Sequence, residues 1–182
     1  NCKYLVAYNG WDDEFDTDNG FSGKVQYGLS IRDPRIADTS QSNGFESDNC
    51  ADGSLVSPYT TAVFSNITFI GPLGRDAGFT NDESYINAGS FNPNNGSALG
   101  KFQSAMQIRR SSRLNCFNSV AVGYPVGLII DGEKGNTVEQ AQEGIINLQN
   151  IWFAGMTVTG SDANKVYDDV LYDAVNKTII DA

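Results

Sequence analysis

The sequence predicts an all-β solenoid, a chain that coils and stacks short strands around one core. Two observations carry this. Strand-like runs rich in Val, Ile, Phe and Tyr recur between breaks made of Gly, Asn, Asp and Ser. One run also repeats: Phe64-Ser65-Asn66-Ile67-Thr68-Phe69-Ile70-Gly71 resembles Leu148-Gln149-Asn150-Ile151-Trp152-Phe153-Ala154-Gly155, with Phe117-Asn118-Ser119-Val120-Ala121-Val122-Gly123 as a looser copy. With Ser119 set against the two asparagines, the intervals are 53 residues (66 to 119) and 31 residues (119 to 150). They suit two rungs and one rung of a coil with roughly 20–30 residues per turn. An apolar-polar-Asn-apolar-x-apolar unit cannot bury its own face, whereas stacked copies make a continuous core. The shared Asn is expected inside, as a ladder of amides bonded from rung to rung.

A length of 182 residues suits one domain, 1–182, with a real core. Twelve basic against 22 acidic residues give a net charge of -10, which argues against nucleic acid and anionic membrane surfaces as partners. Acidic glycans stay open, because a cation or a local Lys/Arg cluster could invert the field. The absence of histidine removes Ser-His-Asp and Cys-His machinery and His-ligated zinc. Cys2, Cys50 and Cys116 form no CxxC, so a metal cluster is not expected. One disulfide plus a free thiol and three buried thiols both remain open. No stretch is long and apolar enough to span a bilayer, so no membrane span is expected.

In chain order, Tyr4-Leu5-Val6-Ala7-Tyr8 reads as a strand already under way. No signal peptide is visible, and the expectation is a mature or excised segment of a longer protein. In Lys24 to Ile31, the residues Val25, Tyr27, Leu29 and Ile31 alternate with Lys24, Gln26, Gly28 and Ser30, the pattern of a half-buried strand stopped at Arg32-Asp33-Pro34. Residues 35–58 and 72–104 are long polar excursions, and such loops tend to be functional or disordered. Met106 to Arg113 carries the only dense positive cluster, and Val126 to Ile130 is a strand ending at Asp131-Gly132. Val166, Val170, Leu171, Ala174 and Val175 fall at helical spacing after an N-cap at Ser161 or Asp162, which predicts a capping helix over 161–176. Asn66, Asn95 and Asn176 open glycosylation triplets that chance alone would supply.

The densest chemistry lies in Trp11 to Gly20, where Asp12, Asp13, Glu14, Asp16 and Asp18 fall within seven positions. On an extended strand Asp12, Glu14, Asp16 and Asp18 would share one side. Four like charges there need water, a basic partner or a cation, and oxygen ligands favour calcium. Arg109, Arg110 and Arg113 are read first as ion-pair partners for this acidic face, which would remove the case for calcium.

These segments resemble the secreted and cell-surface parallel β-helix proteins common in Bacteroidetes. The resemblance runs over residues 3–155: Lys3 to Tyr8, the Asp-Asp-x-Phe-Asp-x-Asp-x-Gly segment ending at Gly20, Gly23 with Gln26 and Tyr27, Arg32-Asp33-Pro34, and Asn43-Gly44-Phe45-Glu46-Ser47-Asp48. Ile108-Arg109-Arg110, Phe117-Asn118-Ser119 and Gly127 to Gly132 continue it. It implies a right-handed single-stranded parallel β-helix, outside the cell or on its outer surface, in a family mostly without an assigned activity. Two functions follow as expectations. One is a non-catalytic module binding a polysaccharide or a surface protein, with Trp11, Glu46 and Asp48 as binding residues and Tyr27, Tyr59, Tyr124 and Trp152 available to stack on sugars. Core filling is the simpler role for each aromatic. The other is a calcium-dependent polysaccharide lyase with Lys24, Arg32, Arg109 or Arg110 as base, or a glycoside hydrolase using a pair among Asp13, Asp16, Glu46 and Asp48. Fold analogy alone decides neither.

Overall fold

Each strand run is followed by a polar excursion, so the chain travels around the core before returning alongside itself. The computed structural model describes residues 1–87 and 100–161. Sheet A stacks two columns of short strands. The first holds β1 (Cys2–Lys3), β4 (Lys24–Gln26) and β7 (Val63–Ser65); the second holds β2 (Val6–Tyr8), β5 (Leu29–Ile31) and β8 (Thr68–Ile70). The longer β10 (Asn115–Val122) and β12 (Leu148–Ala154) run through both columns. Sheet B stacks β3 (Phe15–Thr17), β6 (Phe45–Ser47), β9 (Ser104–Ile108), β11 (Val126–Ile130) and β13 (Val158–Ser161). Every strand pair among the described residues is parallel. The fold is a parallel β-helix, and among the described residues five strands in sheet B mark five coils.

The register corrects the sequence spacing. Val25 pairs Phe64, Phe64 pairs Cys116, and Cys116 pairs Leu148. The long interval between the repeats is therefore one coil, not two. Its extra length is an excursion holding a 3-10 turn at Pro72–Gly74 and α1 (Glu83–Asn87). A further short helix, α2 (Thr137–Gln142), follows β11 and was not legible as a periodic run. The expected capping helix over 161–176 lies outside the described residues, apart from Ser161 in β13.

The repeat is also one residue out of step. Asn118, not Ser119, stands beside Asn66 and Asn150, since Phe117 pairs both Ser65 and Gln149. These asparagines mark the bend between the two columns of sheet A. Tyr4, Tyr27, Asn66, Asn118 and Asn150 stack there, all left-handed with φ between 50 and 59°. The bend shifts the inward–outward alternation by one step. Val25 faces the core before it and Ser30 after it, so Tyr27 comes out 44% exposed, against the strand pattern of Lys24 to Ile31. Asn118 and Asn150 are exposed, and the Asn150 side chain donates to Asn118 Oδ1 at 3.0 Å, so the ladder is external rather than buried. Ser119 instead points inward and accepts from the Ile67 N–H at 3.0 Å.

Asparagine tolerates the left-handed region, whereas most residues lose roughly 1–2 kcal/mol there. Tyr4 and Tyr27 therefore sit under strain. Their rings stack at 5.3 Å and 11°, a contact worth about 0.5–1.5 kcal/mol, which does not offset two such bends.

Between the sheets, Phe15, Phe45, Phe64 and Phe69 interlock at ring separations of 5.2 to 6.4 Å. Met106, Ile108, Leu114 and Ile67 fill the space around them. Gly44 is required beside this cluster, because a Cβ there would meet Ala105 O at 2.5 Å and the Phe69 ring. All three cysteines are free: Cys2 is exposed, Cys50 half-buried, and Cys116 buried with its thiol pushed up to about 11 by burial. Neither cysteine arrangement left open by the sequence is present.

Candidate functional site

Phe15 and Thr17 point into the core, so the strand alternation turns Asp16 outward. Its register partner Glu46 follows the same rule between Phe45 and Ser47. Asp48 lies just beyond β6, and Arg109 and Arg110 just beyond β9, so parallel stacking brings residues about 60 positions apart to one end of sheet B. Arg109 Nη2 donates to Glu46 Oε2 at 2.5 Å and Arg109 Nε to Asp48 Oδ1 at 2.7 Å. Arg110 Nη1 donates to Asp48 Oδ2 at 2.7 Å. Arg110 and Ser111 are left-handed at φ 50 and 65°. This turn is pinned by the Ser111 N–H donating to Thr137 Oγ1 at 3.0 Å and the Ser111 hydroxyl donating to Gly53 O at 2.7 Å. It aims both guanidinium groups at Asp48.

The cluster is half-open: side-chain exposure is 15% for both Glu46 and Arg109, 11% for Asp48 and 25% for Arg110. Burial, then the charge of Asp13, pushes Glu46 up to about 8 despite Arg109. Burial, then Asp12, pushes Asp13 up to about 7, although Asp13 Oδ1 accepts the Asn43 N–H at 2.6 Å. Asp16 is raised by burial and by the charges of Asp18 and Asp48. Asp131, also raised by burial, feels Arg109 and Arg110 from the next coil. Burial works against the Arg109 charge, but the Asp48 hydrogen bond and the Glu46 charge outweigh it and hold its pKa up. The arrangement sets two carboxyls of raised pKa, Glu46 and Asp13, beside the Arg109 and Arg110 guanidinium groups.

The acidic stretch does not stay together. Only Phe15–Thr17 is a strand, and the chain before it turns Glu14 inward. There Arg32 Nη1 donates to Glu14 Oε1 at 2.9 Å and to Asp12 O at 2.5 Å, with exposures of 0% for Arg32 and 1% for Glu14. Arg32 also lies 5.1 Å from the Phe102 ring centre, and its Nε is buried without a partner. It has no face left for a substrate, which corrects its candidacy as a base. Asp12 accepts from the Ser40 hydroxyl at 3.4 Å, and Asp18 from the Asn19 amide at 2.7 Å. Among the described residues no group of three or more carboxylates, cysteines or histidines is placed to hold a metal ion, and of Asp12, Asp13, Glu14, Asp16 and Asp18 it is Glu14 that turns inward onto Arg32. Lys24 lies on sheet A, across the core from the cluster. Trp11 is half-buried, its Nε1 donating to Asp38 Oδ2 at 3.0 Å.

Among the other aromatics, Tyr124 is fully buried and Tyr59 lies under Arg113 at 3.6 Å. Core filling holds for Tyr124, whereas Tyr27 and Trp152 are exposed. The sequence reading missed Asp131 and Asn43, which carried no signal beyond their turns.

No helix among the described residues is long and apolar enough to cross a membrane. No curated protein and no solved structure matches the chain. A family model described as a pectate-lyase-like beta helix domain matches residues 1–181. The all-parallel coil agrees with that match, and the chain belongs to the pectate-lyase-like β-helix domain family.

Proposed function

We propose that this β-helix is a carbohydrate-binding module of the outer cell surface that grips glycan hydroxyls at the open end of sheet B. The observation that supports it most is the grip of Arg109 on Glu46 and Asp48 in a half-open cluster whose electrostatic field also takes in Asp13 and Asp16. A protonated carboxyl and a guanidinium donate, an ionised carboxylate accepts, and a sugar hydroxyl needs both. The surface location rests on the sequence resemblance across residues 3–155.

The test is calorimetric titration with neutral and acidic oligosaccharides at pH 6 and at pH 9. Binding is expected to weaken about tenfold in Arg109→Gln, the loss of one charge-assisted contact, and to weaken as Glu46 loses its proton. Equal affinity in wild type and Arg109→Gln would sink the reading.

Glycoside hydrolysis at the same cluster is the second reading. It is favoured by Glu46 holding a proton to about 8 beside other carboxyls, the asymmetry that separates an acid from a base. Release of reducing ends that is abolished in Glu46→Gln would favour it. A uronate lyase fits less well, since Arg32 is sealed and Arg109 and Arg110 are held by carboxylates.

A further inference from the structure

Across the core from the carboxylate cluster, the second column of sheet A turns a different face to solvent. Ser30, Phe69 and Ala121 point into the core, so their neighbours on either side point out. Parallel register stacks those neighbours in two ladders. Leu29, Thr68, Val120 and Trp152 form one, and Ile31, Ile70, Val122 and Ala154 form the other. Val6 and Tyr8 extend them onto β2. None of these side chains is charged and, Thr68 apart, every one is aliphatic or aromatic.

Outward positions on a sheet that faces water are normally polar. The matching outward row on the first column reads Lys3, Gln26, Ser65, Phe117 and Gln149, and the row on sheet B begins with Asp16 and Glu46. The second column differs because its apolar character runs through all five of its described coils. These side chains point sideways from the stack, so further coils at either end would lengthen the face and not cover it. Contiguous apolar patches of more than a few hundred Å² mark an interaction surface. Tyr8 and Trp152, at 61% and 75% exposure, offer on the order of 300 Å² between them. The rest of the two ladders, stacked over about 20 Å, brings the face near the ~800 Å² that each partner contributes to a standard interface.

Charge selects the partner. The chain carries a net charge of -10, so two copies repel wherever their charged surfaces meet. The ladders are where that repulsion is weakest, with the Arg75 guanidinium at their border, 6.0 Å from the Tyr8 ring centre. A basic partner would be drawn to acidic surface instead and would gain nothing from uncharged ladders. Two flat sheets pack face to face about 10 Å apart, and a closed pair uses the same patch on both copies. We infer that two copies of this chain dimerise through the outward face of the second column of sheet A, burying Val120, Val122 and Trp152 of each against the other. The sheet B cluster stays open on both copies.

The experiment is sedimentation equilibrium of the intact chain over a wide concentration range, at low and at high salt. A reversible monomer–dimer equilibrium is expected. Salt should tighten it, because screening removes the repulsion between like-charged copies while apolar contact survives. Trp152→Lys and Val122→Lys should each weaken dimerisation tenfold or more, although each lowers the negative charge of the chain. Trp152 is mostly exposed, so Trp152→Lys should melt as wild type does at concentrations where both are monomeric. Gln149→Lys, outward on the first column of the same strand, should leave dimerisation unchanged. A chain that stays monomeric at every concentration, a dimer indifferent to both ladder variants, an equal loss in all three variants, or a dimer that salt dissociates would each overturn the inference.

Discussion

Two arginines meet the same acidic half of the chain and end in opposite circumstances. Arg32 is sealed with Glu14 at 0% and 1% exposure, capped by backbone carbonyls and an aromatic ring. Arg109 reaches Glu46 and Asp48 at 15% and 11% exposure, so its ion pairs stay in touch with solvent. The first clamp closes the polar turn after β5 onto the chain before β3. The second holds several carboxyls together at the surface, where burial and mutual repulsion keep protons on some of them. Similar chemistry yields architecture in one place and a candidate site in the other, and solvent access makes the difference.

The largest expected effect breaks the sealed clamp. Glu14→Gln leaves a buried guanidinium without its counter-charge, so stability should fall by about 3–5 kcal/mol and the melting temperature by on the order of 10 °C. A urea titration showing a loss below about 1 kcal/mol would place Arg32 in contact with water after all.

Next is pH. The folded-state pKa values of Glu46 and Asp13 lie above their ordinary values, so the folded protein holds protons that the unfolded chain has released. Stability should therefore decline as pH rises from about 5 to about 8, by on the order of 2–4 kcal/mol for the pair together. The decline should flatten in Glu46→Gln. A wild-type profile flat over that window contradicts the electrostatic account.

Arg109→Gln should weaken the fold less than Glu14→Gln does, by about 1–3 kcal/mol, because water and Arg110 can serve the freed carboxylates. A larger loss than that of Glu14→Gln would reverse the comparison. The smallest expected effect is that of calcium: unfolding with EDTA and with millimolar calcium should coincide, since a ligand bound only by the folded state would raise stability by mass action. A clear calcium-dependent rise would restore the cation cage.

The sequence made the stacking legible because Phe64 to Gly71 and Leu148 to Gly155 carry the same bend in the same place. It misplaced the third copy because Asn118 and Ser119 are adjacent and both polar, while only the left-handed backbone separates the outward residue from the inward one. It misjudged the coil count because an excursion can lengthen one coil without leaving a periodic trace. Asp13, Asp16, Glu46 and Asp48 were readable as candidates, but the pairing of Asp16 with Glu46 and the meeting of Glu46 and Asp48 with Arg109 depend on register between strands far apart in the sequence. Glu14 looked like its neighbours, and only the turn before β3 sends it inward.

The most direct measurement is a carboxyl carbon NMR titration of wild type from pH 3 to 9. The account predicts that Glu46 titrates near 8 and Asp13 near 7. Both titrating at ordinary values of about 4.3 and 3.9 would show that the open cluster holds no proton at neutral pH, and would contradict the account.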